Sequence, residues 1–302
     1  MSSLISRVTN EVIIGGGGTK MVTSDTNENE GIWDSAAPGW AKWESALADA
    51  TVEATERMLD AANVQDSMRV LDMACGAGSQ TIQAARRVGP SGHVIANDIS
   101  SRMLAFVQSN AAAAGLKNVE TLHCPAEELS EASLQVDAAT CRLGLMLFQS
   151  PQNALAAVRK VLADNGRLAV LVVGSPQENP LFSKTMMIAL KHAGKSPPPP
   201  GSPGLFALSD SSGLESLFEA AGYSDTKVEK ITAKLEIASV DDALTMMQEA
   251  FGAYRAVLAD LDNERRDAAW DEIRSCLKEF SGPDGVRAGM TFLLASGARK
   301  RI

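Results

Sequence analysis

Cysteine, histidine and basic side chains are scarce in this chain of 302 residues. It has three histidines and four cysteines, none of them in a Cys-x-x-Cys spacing. The absence of this spacing argues against a disulfide framework and against a metal site, and it indicates free thiols in a reducing compartment. Lysine and arginine total 28 against 37 acidic residues, so the net charge of −9 argues against nucleic acid as a partner.

Long apolar runs and a targeting segment are also missing. No run approaches the length of a membrane span, and the first residues lack the apolar core and cleavage site of a signal peptide. We therefore expect a cytoplasmic protein without a membrane span, whose partner is a small-molecule substrate, with homodimer formation left open. With 45% hydrophobic residues, the chain can bury a core in one large domain or two small ones.

The most informative segment joins two apolar runs that each end on an acidic residue. The first run enters Asp72 and then turns on Gly76 and Gly78, and the second run ends on Asp98. Glycine adopts backbone angles that are barred to other residues, and it lets a ligand approach the backbone. Ligands of open α/β sheets sit outside the carboxyl ends of the strands, where an acid can hold ribose hydroxyls. The segment therefore predicts a nucleoside pocket.

Two cofactor classes fit a glycine turn between strands. A dinucleotide fingerprint would place a third glycine where this chain has Thr81, and its strand would stay apolar where this chain has Asp72. An acidic residue before the glycines suits a ligand that carries an amino group and lacks a pyrophosphate. The pattern therefore favours S-adenosyl-L-methionine, and a nicotinamide-dependent oxidoreductase is the less favoured alternative.

Further segments follow this turn in a regular order along the chain. The relevant segments are Arg69–Gly78, Gly92–Ser100 followed by Met103 and Leu104, Val136–Arg142, and Val161–Val170. In these segments the chain resembles the class I S-adenosylmethionine-dependent methyltransferases, in the methyltransferase-domain group that includes the ubiquinone/menaquinone C-methyltransferases. The resemblance covers about residues 50–175. It implies a Rossmann-like fold and methyl transfer from S-adenosyl-L-methionine.

The alternation of apolar strands and helical stretches predicts an α/β fold. The resemblance implies a Rossmann-like, seven-stranded, mostly parallel sheet with helices on both faces, and the additional helical stretches are interpreted as cap insertions. Strands are predicted at about residues 68–72, 93–97, 119–122, 136–141, 167–173, 227–238 and 291–297. The predicted organisation is a flexible leader (1–30), an N-terminal helical lid (31–66), the cofactor-binding core (67–175), a cap or loop insertion (176–208), a continuation of the core (209–240), a helical substrate cap (241–285), and the last core strand with the tail (286–302).

The cofactor is expected along the two acidic strand ends. Asp72 would accept a hydrogen bond from the amino group of the ligand, directly or through a water. Asp98 would take the ribose hydroxyls, because one carboxylate can accept from two donors. The methionine part is expected to contact the glycine turn and the end of strand four, at Ala74, Cys75, Gly76, Gly78 and Cys141. The Cys75 thiol fits there as a small apolar group and is not interpreted as a nucleophile.

The adenine ring is expected beyond Asp98. Ile99 and Met103 would flank the ring, although the helical spacing of Met103 equally fits the core. Ala126 and Glu127 follow strand three, where the family has Asp-Ala and reaches the adenine edge. This chain has Pro125 in place of the aspartate. The usual acceptor for the adenine amino group is therefore missing, and Glu127 or a backbone carbonyl is expected to replace it.

Candidates for substrate binding and catalysis are fewer. Trp33 and Trp40 suit an aromatic lid over the substrate, and they equally suit a helix packed on the edge of the core. Tyr254 is a further substrate-binding candidate, and His192 is the one histidine considered as a general base. Arg142, at the end of strand four, is expected either to line the pocket with its side chain or to form a structural salt bridge.

The predicted function is a methyltransferase that acts by in-line displacement on an O, N, S or C nucleophile of a small, apolar molecule. The reaction asks the protein mainly to align the acceptor with the methyl group and to exclude water. Because the fold does not fix the chemistry, a protein that binds S-adenosylmethionine without transferring the methyl group is the second alternative.

Overall fold

The computed structural model describes residues 24–132, 134–199 and 201–300, and within these ranges it contains nine α-helices and eight strands. The helices are α1 (Ser24–Ala61), α2 (Ser79–Val88), α3 (Ser101–Ala113), α4 (Pro151–Val161), α5 (Pro180–Ala193), α6 (Ser211–Ala220), α7 (Val240–Glu249), α8 (Gly252–Leu258) and α9 (Asn263–Lys278). The strands are β1 (Arg69–Met73), β2 (His93–Asp98), β3 (Val119–His123), β4 (Val136–Arg142), β5 (Leu162–Val173), β6 (Ser224–Ile237), β7 (Ser281–Gly282) and β8 (Gly285–Ala298).

One sheet contains all of these strands. Its order is β3-β2-β1-β4-β5-β8-β6, and the two-residue β7 pairs with β8. The first five strands run parallel, whereas β8 is antiparallel to both β5 and β6. The prediction of an α/β fold with a mostly parallel sheet of seven strands is confirmed along this path. The chain order reverses between β1 and β4, which is where open α/β sheets bind ligands.

The central strands form where the sequence is continuously apolar. Val70, Leu71 and Met73 of β1 are fully buried, as expected for a parallel strand that is covered on both faces. β5 begins earlier than predicted because Leu162 already pairs with Val136, before a register shift in β4. β6 and β8 pair over most of their length, and β8 is longer than its predicted core of residues 291–297.

The amino-terminal helix α1 begins at Ser24, before the predicted boundary of the lid at residue 31. The rest of the predicted flexible leader, residues 1–23, lies outside the described residues. Pro38 lies inside this helix and has no N–H to donate to the carbonyl of Asp34. Arg102 at the start of α3 donates to that carbonyl instead, at 3.2 Å. The proline therefore gives α1 a contact with the core.

Helices α7, α8 and α9 form the insertion between β6 and β8, and they pack against α1 and α5. The ring of Phe251 stands edge-on to Trp40 at 5.6 Å and to Phe182 at 5.5 Å between ring centres. Glu249 accepts hydrogen bonds from Lys42 and from the indole of Trp43, at 2.9 and 2.7 Å. Of the helices described, none combines the length and the apolar character needed to cross a membrane.

Gly39 marks the closest approach of α1 to the insertion, because a Cβ at this position would overlap the backbone carbonyl of Glu249. We expect Gly39→Ala to lower the free energy of unfolding by roughly 1–3 kcal/mol, as overpacking does, and urea denaturation measures this change. Gly31→Ala in the same helix is the matched control, because nothing lies within 4 Å of its Cβ position. We expect this control to be neutral or slightly stabilising. Equal stability of the two variants would contradict the close approach.

Candidate active site

A pocket of about 1120 Å³ opens at the carboxyl ends of β1, β2 and β4. Its walls come from α1, the turn after β1, the end of β2 with the start of α3, and the segments that follow β3 and β4. This volume includes space that is open to solvent. The lining combines aromatic and aliphatic side chains with a few polar groups, which is the composition typical of small-molecule sites.

The glycine turn forms the floor of this pocket. Gly76 and Gly78 have φ values of 57° and 101°, which favour glycine, and Ala74 also has a positive φ, of 51°. A Cβ on Gly78 would lie 3.0 Å from Val107 of α3, whereas a Cβ on Gly76 would meet nothing within 4 Å. Gly78 thus allows α3 to pack closely, and Gly76 leaves the backbone open to a ligand.

Asp98 lies at the tip of β2 and lines the pocket. Its carboxylate accepts hydrogen bonds from the backbone N–H groups of Gly76 at 3.0 Å and Ser100 at 2.9 Å. Only 8% of the residue is exposed, and this burial raises the pKa of Asp98 to about 6. Each oxygen retains a lone pair for a ligand, so this carboxylate can accept from two neighbouring hydroxyls.

Asp72 occupies a different environment from the one expected. It is fully buried under the turn and accepts hydrogen bonds from Thr81, from Gln80 at 3.4 Å and from Thr140 at 3.3 Å. Burial raises its pKa to about 6. Asp72 does not line the pocket, which corrects the expectation of a direct contact with the ligand. Its carboxylate instead fixes the start of α2, because Gln80 and Thr81 both lie there.

The two raised carboxyl pKa values also affect folding. In the unfolded chain an aspartate has a pKa near 3.9, so it releases its proton before the folded protein does. The protonated carboxyls of Asp72 and Asp98 therefore make their full contribution to the free energy of unfolding below about pH 4, and this contribution is lost as the pH rises through about 6. Buried acids that cost stability at neutral pH are typical of functional sites.

Helix α1 covers the pocket with one stripe of side chains. The pocket-lining residues of this helix are Asn29, Trp33, Trp40, Glu44, Leu47 and Thr51. At 3.6 residues per turn these positions fall within about 60° of the helix circumference. Trp33 and Trp40 therefore do line the pocket, as the prediction of an aromatic lid requires. The stripe continues with Leu47, which is apolar, and with two polar residues near the glycine turn.

Arg142 and Glu44 bring opposite charges to the same end of the pocket. The guanidinium of Arg142 donates to the hydroxyls of Thr51, Thr55 and Ser79, and no carboxylate of a described residue forms an ion pair with it. Burial lowers the pKa of Arg142, whereas the charges of Asp72 and Glu44 oppose this shift. The Nε donor and one further N–H of the guanidinium are unused by these bonds.

The far end of the pocket matches the expected adenine side. Ile99, Met103, Pro125, Ala126 and Glu127 all line it. Burial raises the pKa of the Glu127 carboxyl. These residues surround an apolar slot with one carboxylate at its edge.

The two cysteines near the glycine turn are inert. Cys75 lines the pocket, and burial together with the charges of Asp98 and Asp72 raises the pKa of its thiol. Cys141 lies behind the wall, and burial raises its pKa to about 12. Neither thiol forms a thiolate at neutral pH. This agrees with the interpretation of Cys75 as a small apolar residue.

Like Asp72, the predicted cofactor-binding residues Gly78 and Cys141 do not line the pocket, and two further predicted site residues lie away from it. His192 in α5 contacts Glu272 of α9, with 2.7 Å between Nε2 and Oε2. The Tyr254 hydroxyl is buried within 2.7 Å of the Thr185 hydroxyl, and burial raises its pKa. Neither residue lines the pocket, so the roles expected for His192 as a base and Tyr254 in substrate binding are corrected. The physical reason is that α5, α8 and α9 pack on one another.

The predicted caps also differ from their expected position. Among the described residues, no pocket-lining residue comes from 176–208 or from 241–285. The segment 241–285 supports α1 from behind through Glu249 and Phe251. The apolar wall comes instead from α1 and from the segment after β4, which sequence reasoning overlooked. Its members are Leu47, Leu143, Leu147 and Phe148.

Comparison with known proteins identifies the family of this chain. Residues 64–196 match a family model described as a methyltransferase domain. The ubiquinone/menaquinone biosynthesis C-methyltransferase UbiE of Erwinia tasmaniensis is 36% identical over 124 residues, which cover 41% of this chain and 49% of that protein. UbiE of Psychromonas ingrahamii is 31% identical over 168 residues, covering 54% and 67% respectively. The chain spans about half the length of most of these curated relatives.

A solved structure supports the fold independently. Phosphoethanolamine N-methyltransferase 2 of Haemonchus contortus, in complex with S-adenosyl-L-methionine, superposes with a TM-score of 0.54 at 15% identity, covering 94% of this chain and 62% of that one. Such low identity speaks only to the fold. The match to UbiE of Psychromonas ingrahamii covers 67% of that protein, and the fold and the glycine turn between two acid-ended strands agree with it. The chain therefore belongs to the class I S-adenosylmethionine-dependent methyltransferases.

Proposed function

We propose that this protein transfers the methyl group of S-adenosyl-L-methionine to a small, predominantly apolar acceptor. The observation that carries the proposal is that one pocket has two unlike halves. One half has the Asp98 carboxylate beside the glycine turn, and the other is an apolar wall. The wall consists of Leu47, Leu143, Leu147 and Phe148, and Trp33 lies beside it on α1.

The residues present fit this cofactor from end to end. Asp98 accepts from the two ribose hydroxyls, and the turn from Ala74 to Ala77 supports the methionine part. Ile99 and Met103 flank the adenine, whose amino group donates to Glu127 or to a backbone carbonyl near Pro125. The acids that line the pocket also suit a ligand with a positive sulfonium, because opposite charges attract strongly where water is partly excluded.

Arg142 serves as an anchor for the carboxylate of the methionine tail rather than as a catalytic residue. It is the only Lys or Arg among the described residues that line the pocket. A guanidinium with two unused donors matches one carboxylate in a bidentate geometry. A pyrophosphate would need more positive charge or a free helix N-terminus. The start of α2 is already occupied by the Glu44 carboxylate, at 2.7 Å from Ser79 N. A nicotinamide dinucleotide therefore fits this pocket poorly.

When bound, the cofactor supplies an electrophilic methyl group for in-line displacement by a nucleophilic atom of the acceptor. The chain's own contribution is placement and exclusion of water. Trp33 and Leu47 of α1 close the pocket from one side, and Leu143, Leu147 and Phe148 hold the acceptor from the other. Among the described residues that line the pocket, the acids are Glu44, Asp98 and Glu127. Asp98 and Glu127 bind the cofactor in this arrangement, and Glu44 lies at the methionine end beside Arg142. A proton lost by the acceptor therefore passes to solvent.

The relatives guide the choice of acceptor. They are named for C-methyl transfer in ubiquinone and menaquinone biosynthesis. An aromatic carbon acceptor is therefore the first class to test against this apolar wall. The rest of the proposal does not depend on this choice.

The direct test is calorimetric titration of the full chain with S-adenosylmethionine, S-adenosylhomocysteine and NADH. We expect micromolar binding of the two adenosyl compounds and no binding of NADH. A screen of phenolic, quinol, amine and thiol acceptors follows, with S-adenosylhomocysteine formation measured by mass spectrometry. If neither adenosyl compound binds, the proposed function is wrong.

Asp98 makes cofactor affinity depend on pH. Its ionised form is the better acceptor for ribose hydroxyls, and its pKa is about 6. We expect the affinity for S-adenosylhomocysteine to rise by up to about tenfold per pH unit below pH 6, and to level off above it. Calorimetry between pH 5 and 8 measures this profile.

Two variants control the pH profile. Asp98→Asn should bind roughly ten- to a hundredfold more weakly, with little dependence on pH over this range. His123→Gln should move the inflection to higher pH, because the charge of His123 lowers the pKa of Asp98. An unchanged pH profile in Asp98→Asn would assign the titration to another group.

Removing the Arg142 guanidinium should weaken binding of the methionine tail. We expect Arg142→Met to reduce the affinity for S-adenosylhomocysteine by roughly ten- to a hundredfold. The affinity for its decarboxy analogue, S-adenosyl-3-thiopropylamine, should change much less. Arg159→Met is the matched control, because Arg159 donates to the Gly222 carbonyl away from the pocket, at 2.7 Å. Equal losses for both ligands would show that Arg142 acts only on the fold.

A further inference from the structure

Glu44 is an acidic residue of α1 that lines the pocket and that the sequence motifs do not mark. Its Oε1 accepts a hydrogen bond from the backbone N–H of Ser79 at 2.7 Å, and its Oε2 accepts from Asn110 Nδ2 at 3.3 Å. The Ser79 hydroxyl also bonds to this carboxylate, and these bonds fix its orientation. Because a carboxylate offers about four lone-pair sites, the group can still accept from a ligand.

The carboxylate of Glu44 has no cation in contact with it. Arg142 acts on it through its charge, but among the described residues no ion pair includes Glu44. Burial raises the pKa of the Glu44 carboxyl, because the charged form has lost part of its water. A half-buried carboxylate of this kind is stabilised by a cationic group that enters the pocket.

The other carboxylates are committed elsewhere. Asp72 is fully buried behind the turn and points its oxygens at Gln80, Thr81 and Thr140. Asp98 lies at the ribose position, and Glu127 lies at the opposite end of the pocket. Glu44 is therefore the acid that remains available for the amino end of the cofactor.

Glu44 and Arg142 converge on one residue. The backbone N–H of Ser79 donates to Glu44, and the hydroxyl of the same Ser79 accepts from Arg142. A fixed negative charge and a fixed positive charge thus lie on either side of the first residue of α2. The two charges match the ammonium and the carboxylate of an α-amino acid.

We propose that Glu44 accepts the α-ammonium group of the cofactor, and that together with Arg142 it selects ligands with a zwitterionic amino-acid tail. The proposal rests on the function proposed above. It makes α1 part of the cofactor site, so that Glu44 joins the tail of the cofactor to the helix that forms the acceptor wall. Glu44 is then a specificity-determining residue.

A second carboxylate of α1 provides a matched control. Asp34 accepts from the Ser100 hydroxyl and from the Arg102 backbone N–H, at the start of α3. Like Glu44, it docks α1 on the amino-terminal end of a core helix, where negative charge is favourable. Unlike Glu44, it does not line the pocket. A variant of Asp34 therefore loosens α1 without removing a contact to the ligand.

The experiment measures calorimetric affinities for S-adenosylhomocysteine and for its deamino analogue, in which hydrogen replaces the amino group. The proteins are the wild type, Glu44→Gln and Asp34→Asn. We expect Glu44→Gln to lower the affinity for S-adenosylhomocysteine about ten- to a hundredfold, and to change the affinity for the deamino analogue by no more than about twofold. Asp34→Asn should change the two affinities by the same factor.

The outcomes separate the two proposals. Failure of the wild type to bind S-adenosylhomocysteine contradicts the proposed function itself. If the wild type binds it, and Glu44→Gln lowers the affinity for both ligands by the same factor, Glu44 only docks α1 and the inference is overturned. The inference is also overturned if Glu44→Gln keeps both affinities and loses turnover with an acceptor found in the screen, because the carboxylate then acts as a base.

Discussion

The hydrogen bond from Gly76 N–H to the Asp98 carboxylate, at 3.0 Å, joins the two parts of the nucleoside site. It ties the turn after β1 to the tip of β2, and the Cys75 N–H reinforces it by donating to the Asn97 carbonyl at 2.9 Å. The turn can make this bond only because Gly76 has a positive φ. The backbone proposed to support the methionine part and the acid proposed to hold the ribose are therefore positioned by the same contact.

Asp72 has a different part in the same arrangement. Three side-chain donors surround its buried carboxylate, two of them from α2 and one from β4. An acid in this position fixes α2 relative to the switch point of the sheet, and it contributes negative charge close to Arg142. A charged side chain can thus shape a pocket that it does not line. Its sequence signature is the same as that of a residue in direct contact.

The sheet and the cofactor end of the pocket could be predicted from the sequence, because their signals are local. Apolar runs that end on Asp72 and Asp98 define strand tips, and the parallel order then places those tips side by side. The roles of His192 and Tyr254 could not be predicted, because they depend on how α5, α8 and α9 pack on one another. Helical spacing placed both residues on helices, but it does not tell which neighbour each one faces.

The acceptor wall shows why the family identifies the cofactor better than the substrate. The family model begins at residue 64, whereas α1 ends at Ala61, so the helix that covers the pocket lies outside the matched region. Leu47 of α1 faces the pocket, and Asp34, which docks the helix on α3, lies about 140° around the helix from it. Glu44 docks the helix on α2 from within the pocket-lining stripe. Substitution of Leu47 therefore changes the shape of the apolar wall without breaking the bonds that Glu44 and Asp34 make to α2 and α3. A lid built in this way can change its acceptor while the cofactor site stays intact.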